Sequence, residues 1–401
     1  MDVSASIPFS HQNNMHIAEI PSFFTPYGGE FCLEQSRALA ARGHRVAIIS
    51  NVQLSIKKSI TEFVKLPRNR FWHKADGIDI YQSYMRGVPK AVQWNARRWV
   101  KIVESMFDEY VALHGKPDIL HAHCCKWAGY AAMLLSKKHG IPYVITEHLP
   151  SQIYLREFGD RPREAWQVPL LRTALEQADR VITVSDELVD DLAPIFGREY
   201  RHTTVSNTID TDFFAYRERT PRSGRPYVFC CPAINDRRKG YDVLLDAFSR
   251  LNKNTRLLIA GRGTNSDGFR QWIAASPRCA DVELLGELDK TGVREMLYRS
   301  DALAFATRNE SQGLVVLEAV STGIPVITTD AIPCNTRIDG AVHIVPVDET
   351  GAFTQAMNDL MEAPEYDGKP YSQAVADRVS PTIIGEKIEQ VLNDAVAYHT
   401  I

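Results

Sequence analysis

Short apolar, β-branched runs alternate with segments of helical period along this chain, and the alternation pauses once, at the turn-rich charged stretch YRERTPRSGRP (216–226). Ahead of the pause, HIAEI (16–20), HRVAIIS (44–50), GIDIYQ (77–82), PDILHAH (117–123), IPYVITEH (141–148), DRVITVS (179–185) and RHTTVSN (201–207) read as strands. Helical patterns lie among them: FCLEQSRALAARG, which Gly43 closes, a long one over about 91–114, WAGYAAMLLSKKHG, and two near 163–178 and 186–196. After the pause come the strands YVFCCPA, TRLLIAG, VELLG, DALAFAT, PVITTD and VHIVPV, with helices at 239–252, 266–275, 290–299 and 313–322. Two more helices are expected at the end, the last near 381–399. Repeated strand–helix units fold as parallel sheets covered by helices on both faces. The expected class is therefore α/β, with two Rossmann-like domains facing across a cleft and ligands at the carboxyl ends of the strands.

The length of 401 residues suits this division, because a single core seldom grows past about 250–300 residues. Residues 1–14, polar and Ser/Asn/His-containing, are expected to be a flexible extension. Residues 15–215 form the first domain, 216–226 the linker and 227–380 the second domain. The helix in 381–401 is expected to pack back on the first.

Composition narrows the function classes. A net charge of −3 leaves no global basic excess for nucleic acid. One stretch, 86–101, is locally basic and aromatic, with Lys90, Arg97, Arg98, Trp94 and Trp99. It reads first as a half-buried amphipathic helix and second as a membrane or acceptor surface. Seven cysteines follow no spacing framework and no apolar leader opens the chain, which points to reduced thiols in a cytoplasm. No apolar run reaches the roughly 18 residues a membrane span needs.

The chemistry is concentrated in NESQGLVVLEAVSTGIPVITTD (309–330). Glu310 falls in the loop after the strand DALAFAT, and Gly313 opens the next helix. Unpaired N–H groups and the helix dipole favour an anion there, and a glycine lets a phosphate approach the backbone. Glu318 lies about one and a half turns into that helix, where its carboxylate can accept paired hydrogen bonds from sugar hydroxyls. Taken alone, the two glutamates read more readily as a cap and a solvated face.

The whole string resembles the signature of retaining glycosyltransferases of family four, which have the GT-B fold: Glu310, Ser311, Gln312, Gly313, LVVLEA (314–319), Gly323, Pro325 and Val326. The resemblance implies that Glu310 contacts donor-sugar hydroxyls, that Glu318 holds the nucleotide ribose, and that Gly313, Leu314 and Val315 offer N–H groups to the diphosphate. It extends over most of the chain. PYGGE (26–30) looks like the family's opening, which assigns Gly28 and Gly29 to the donor. DILHAH (118–123) looks like the strand whose final His lies beside the transferred sugar, here His123. TEH (146–148) adds Glu147 and His148 as candidate acceptor or donor-sugar contacts. HAHCC lacks zinc-ligand spacing, and no metal is expected. In ITVSDEL (182–188), Ser185 or Asp186 is expected to cap a helix. VSNTIDTDFF (205–214) resembles the family's hinge signature and reads as structural.

In AINDRRKGYDVLLDAF (233–248), Lys239 and Gly240 match a motif whose Lys binds the donor diphosphate. Two departures stand out. Gln312 replaces an aromatic, which implies a changed sugar pocket. Ala233 stands where an Arg is usual, unless Arg237 or Arg238 takes its place. By resemblance His123, Glu310 and Lys239 are the catalytic candidates, and Arg238 joins the donor-binding set. The first domain then binds the acceptor and the second the nucleotide-sugar. No cofactor is implied beyond that co-substrate. The expected reaction moves a hexose-type sugar, from a UDP-sugar ahead of a GDP-sugar, to a glycan or glycolipid in cell-envelope polysaccharide synthesis. It is expected in the cytoplasm, with peripheral contact at the inner membrane surface. The alternatives are a nucleotide-sugar epimerase of the same fold and a non-catalytic sugar-nucleotide-binding protein. The acceptor would be read by 52–76 and 149–165, whose patterns are not legible.

Overall fold

The computed structural model describes residues 14–399 apart from 57–58, 160, 162–164, 220–223, 252–253 and 364–365. The expected extension at 1–14 lies almost wholly outside the described residues, as does part of the expected linker.

Eight strands form one sheet: β1 (His16–Pro21), β2 (Arg45–Leu54), β3 (Phe71–Ala75), β4 (Ile78–Arg86), β5 (Ile119–His123), β6 (Tyr143–Glu147), β7 (Arg180–Thr183) and β8 (His202–Thr204). Their spatial order is β3-β4-β2-β1-β5-β6-β7-β8. Six more, β9 (Tyr227–Pro232), β10 (Thr255–Ala260), β11 (Val282–Gly286), β12 (Ala302–Phe305), β13 (Val326–Thr329) and β14 (Val342–Val345), form a second sheet. Their order is β11-β10-β9-β12-β13-β14. In both sheets the chain starts in the middle and winds outward in two directions, so the α/β, Rossmann-like expectation holds for each. Pairing is parallel from β1 to β2 and β5, and from β9 to β10 and β12.

The central parallel strands are buried on both faces, which is why they read as near-continuous apolar runs. In β1 five of six residues are buried, and in β5 all five. The helix Glu30–Ala41 lays Cys32 and Leu33 on Phe24, Ile48, Val52, Leu54, Ile78 and Ile80. Each such large side chain fully buried stabilises the fold by about 1.5–3 kcal/mol. The long helix Val92–His114 is amphipathic as expected: Trp99 is buried and donates its Nε1–H to the Asn51 carbonyl at 2.6 Å, while Trp94 is exposed.

Three expectations need correction. The stretch 52–76 contains the helix Ile60–Lys65 and the strand β3, which runs antiparallel to β4. Ala75 pairs with Ile78 across Asp76–Gly77, whose φ values of 50° and 84° make a two-residue turn. The Asp-Gly dipeptide is the local signal for it. Among the described residues three helices, not two, follow β14: Thr350–Glu362, Lys369–Val379 and Pro381–His399. Pro381 disfavours a helical conformation at Ser380, which is extended at ψ 156°, so one helix stops and another starts. Neither Ser185 nor Asp186 caps the helix Glu187–Phe196 through its side chain. Among the described residues the buried Ser185 Oγ has no hydrogen-bond partner, and Asp186 accepts from Thr204 Oγ1.

The chain divides into two compact units. The first runs to Thr146 and takes in Leu170–Val181 and the residues from Ile388 onward; the second holds Glu147–Pro169 and Ile182–Lys387. Within the first, Glu389 bonds Arg42 and lies 3.1 Å from His44 Nε2.

Candidate active site

In the second unit the site is built from two loops at the carboxyl ends of neighbouring strands. After β9 the chain makes a short turn, Arg237–Lys239, capped by Asp236, whose carboxylate accepts from Arg238 N at 2.9 Å. Gly240 follows with φ 63°, and a Cβ there would stand 1.8 Å from the Ala306 carbonyl oxygen. Only glycine allows that approach. It brings the turn against the end of β12, where Arg308 N donates to Arg238 O at 2.6 Å and Thr307 Oγ1 to the same oxygen at 3.1 Å. Arg308 clamps the junction with paired bonds to Asp242 at 2.8–2.9 Å and one to Asp348 at 2.6 Å.

This stitching joins two of the catalytic candidates. Lys239 Nζ donates to Glu310 Oε1, and the same oxygen accepts from Thr307 Oγ1 at 3.0 Å. The ammonium also lies 5.2 Å from the centre of the Phe305 ring. Both partners are largely covered. Three residues on, Gly313 (φ 83°) turns the chain into the helix Leu314–Ser321, which no side chain among the described residues caps. The first N–H groups of that helix, Leu314 and Val315 among them, therefore lack intrahelical acceptors. A Cβ on Gly313 would come 2.6 Å from Ile332 Cδ1. Leu314, Val315 and Glu318 are half-buried on the same helix. A cation, a carboxylate and a helix N-terminus are thus gathered within one pair of loops, an arrangement suited to an anion that also carries hydroxyl groups.

Two departures in the sequence take on a structural meaning. Gln312 is buried, and its Oε1 accepts from Asn207 N at 2.8 Å. It ties the loop to the 205–214 segment, a structural contact that the sequence alone does not indicate. Arg238 is held in part by the fold. Its Nε bonds Asp236 at 3.2 Å, and Asp236 also takes two bonds from Arg156, at 2.8 and 2.9 Å. The Arg156 bonds, with partial burial opposing them and Arg238 assisting, hold the Asp236 carboxyl well below the usual range. Ala233 is buried, and its carbonyl oxygen accepts from Tyr241 at 2.6 Å.

Glu147 and His148 are placed differently from the expectation as well. Glu147 is fully buried; its Oε1 accepts from the N–H groups of His148 (3.0 Å) and Leu149 (2.9 Å), and its Oε2 from Tyr154 at 2.8 Å. The carboxylate shapes its own loop through these contacts. His148 is buried beside it.

In the first unit, Gly28 and Gly29 have φ values of 98° and 84°. A Cβ on Gly29 would stand 2.3 Å from Phe23 O, so this opening is a backbone requirement. His123 ends β5 in the adjoining position, and its carbonyl accepts from Ser22 N at 3.1 Å and Ser22 Oγ at 2.8 Å. Its ring is enclosed. Nε2 bonds Glu19 Oε2 at 2.7 Å, and His121 Nδ1 lies 3.0 Å from the same oxygen. His121 Nε2 and Thr146 Oγ1 are 2.6 Å apart. Direct sugar contact by the His123 side chain is therefore corrected to a buried role. Burial pushes the Glu19 carboxyl up, but the two imidazoles outweigh it and leave it at about 2. Burial, with repulsion from His121, pushes His123 down against the opposing pull of Glu19. The donor atoms of Glu19, His121 and His123 lie within 4.8 Å of one another, close enough to hold a metal ion. That grouping was not anticipated, although its signal was present: a glutamate inside an apolar strand, opposite two alternating histidines.

Comparison with known proteins places these loops in a wider group. Residues 28–213 match the model of Glycosyltransferase Family 4, and residues 225–363 that of Glycosyl transferases group 1. The chain is 28 % identical to the glycogen synthase of Mycobacterium tuberculosis over 227 residues, 54 % of this chain and 52 % of that protein. It is 30 % identical to the phosphatidyl-myo-inositol mannosyltransferase of the same organism over 258 residues, 61 % of this chain and 64 % of that protein. The chain thus spans between about half and two thirds of the length of these relatives. In three dimensions it is similar to the sucrose-phosphate synthase of Thermosynechococcus elongatus, with a TM-score of 0.76. That likeness has 16 % identity and covers 96 % of this chain and 100 % of that one, and it is a likeness of fold.

Proposed function

Because this chain belongs to the family-four glycosyltransferases of GT-B fold, we propose that it moves a hexose-type sugar from a nucleotide-diphosphate donor to a glycan or glycolipid acceptor. UDP-sugars are the first candidates and GDP-sugars the second. The observation that carries the reading is the Lys239–Glu310 pair beside the uncapped helix that Gly313 opens.

The donor diphosphate is assigned to the N–H groups at 313–315 and to Lys239. There the cation and the helix dipole stabilise the charge that develops as the glycosidic bond breaks. Glu310 takes a sugar hydroxyl and Glu318 the ribose hydroxyls, since an ionised carboxylate accepts paired hydrogen bonds. The acceptor hydroxyl attacks the face that the diphosphate leaves, and the departing phosphate oxygen takes its proton. This gives retention of configuration through an oxocarbenium-like state, with no metal and no enzyme nucleophile. His123 enters through its fixed place at the end of β5 and not through its ring.

The relatives' names support a cell-envelope or polysaccharide setting, and one of them names a phosphatidyl-linked acceptor. Work in the cytoplasm, at the inner face of a membrane, is part of this proposal. Among the described residues no helix is long and apolar enough to cross a membrane. The test is release of nucleoside diphosphate from UDP-, GDP- and ADP-sugars, with and without glycan and glycolipid acceptors. Acceptor-dependent release supports transfer. Donor conversion without acceptor would assign an epimerase, and tight binding without release or conversion a binding protein.

A further inference from the structure

Half of the large apolar side chains that stand exposed among the described residues lie in two short segments: Ile56, Ile60, Val64, Val88, Val92 and Trp94. Single exposed apolar residues need no explanation, but a group at one place does. The segments follow β2 and β4, which are neighbours in the sheet. Gly87 N donates to Leu54 O at 2.9 Å, joining the two strand ends. Arg86 reaches from β4 to the helix Ile60–Lys65, donating to Phe63 O at 3.0 Å and Pro67 O at 2.8 Å. Arg98 in turn donates to Arg86 O at 3.1 Å. Leu54, Ser55, Val88 and Val92 line one groove. Phe63 packs inward on the core, which leaves Ile60 and Val64, four positions apart, on the outer face.

The charge on the 86–103 side of this face is one-sided. Residues 86–103 hold Arg86, Lys90, Arg97, Arg98 and Lys101 and no acidic residue, in a chain whose net charge is −3. Lys90, Arg97 and Lys101 are exposed, as is Lys65 on the neighbouring helix. The Arg98 guanidinium lies 5.1 Å from the centre of the Trp94 ring, so cation and indole are held side by side. An indole with basic neighbours suits the headgroup level of a bilayer, and an anionic surface complements the charge. The face also lies at the carboxyl edge of the sheet, the edge that carries Gly28, Gly29 and His123. An acceptor anchored in a membrane would be presented there.

We propose that this face of the first unit docks on an anionic phospholipid surface, with Ile60, Val64, Val88, Val92 and Trp94 entering the interface and Lys90, Arg97 and Lys101 lying on the headgroups. The choice of a lipid partner over a protein one rests in part on the transfer reading above; the binding itself does not. The test is sedimentation of the purified full chain with vesicles, without any sugar donor. One set is phosphatidylcholine alone and the other contains about a third phosphatidylglycerol. The expected result is binding to the anionic vesicles that weakens with salt, and little binding to the neutral ones. Each basic group near such a surface contributes roughly fivefold, so K90E/R97E should weaken binding at least tenfold. I60S/W94A should do likewise while retaining the wild-type melting profile. Equal recovery of wild type and variants with the vesicles, or no binding to either set, overturns the proposal. A dimer in sedimentation velocity that I60S/W94A dissolves would also overturn it and assign the face to a second copy. Nucleotide binding, read separately by thermal shift, depends on neither variant, so failure here leaves the transfer reading standing and failure there leaves this one.

Discussion

Lys239 and Glu310, 71 positions apart, are joined by a direct ion pair at the carboxyl ends of β9 and β12. The sequence names each separately as a ligand contact. Their pairing means that neither can be altered without affecting the other. Removing Lys239 alone leaves a mostly covered carboxylate beside Thr307, and removing Glu310 leaves a covered ammonium over Phe305. Coupling between contacting residues typically runs to about 0.5–3 kcal/mol. Denaturant melts of K239M, E310Q and the double variant should give about 1 kcal/mol of coupling, and additive single effects would show that the pair is incidental. Each single variant should lower nucleoside diphosphate release about a hundredfold or more, as for loss of a transition-state donor.

The two glycines of the site should respond differently to alanine. At Gly240 the added Cβ meets a backbone carbonyl at 1.8 Å, which cannot yield without moving β12. At Gly313 it meets the end of the flexible Ile332 side chain at 2.6 Å. Both have positive φ. G240A should destabilise by about 3 kcal/mol or more and G313A by about 1–2 kcal/mol. Thermal unfolding ranks them, and the reverse order would remove the account of the close approach.

Gln312 should prove to be a structural tie. Q312A leaves Asn207 N–H without its partner in a buried place, a loss of about 1–3 kcal/mol. The ratio of activities on UDP- and GDP-sugars should stay unchanged. A changed ratio with an unchanged melting temperature would restore Gln312 to the sugar pocket.

Acid should loosen the first unit through Glu19. Its carboxyl is held at about 2 in the fold against 4.5 as the ordinary value, so its contribution is complete above pH 4.5 and is lost as pH falls toward 2. His123, held below 6.5, acts in the same direction, because the unfolded chain takes up its proton first as pH falls below 6.5. The Glu19 contribution amounts to at most about 3 kcal/mol. Melting temperature against pH should fall between pH 6 and pH 3 for the wild type and less steeply for E19Q. Parallel curves would show that the Glu19–histidine cluster does not titrate as described.

Glu318 remains assigned to the ribose. E318A should abolish most of the stabilisation that a nucleoside diphosphate confers in a thermal-shift measurement, since a ligand stabilises only as far as it binds the folded state. An unchanged shift would remove the assignment.

Local pattern alone carried most of the architecture. Most of the strands follow apolar runs that the eye can mark in the sequence, because burial on both faces of a parallel sheet demands continuous apolar residues, although the short polar β8 and the partly exposed β14 do not share that burial. The helix openings at Gly29 and Gly313 were also legible, since positive φ needs glycine. The strand β3 was missed because it sits at a sheet edge, where alternate residues remain exposed and the apolar signal is diluted. What no local pattern could supply was partnership. Arg238 looks like a free cation until Arg156 and Asp236 are seen beside it, and Glu147 like a ligand contact until Tyr154 closes on it. His123 looks like a strand-end donor until Glu19 meets it across β1 and β5. A side chain's type is written in its codon, but its direction and its partner depend on contacts far along the chain, 105 positions away for Asn207 and Gln312 and 347 for Arg42 and Glu389. Those contacts form only when the sheets assemble, so the tertiary structure decided which of the polar residues are committed to the fold and which remain for a ligand.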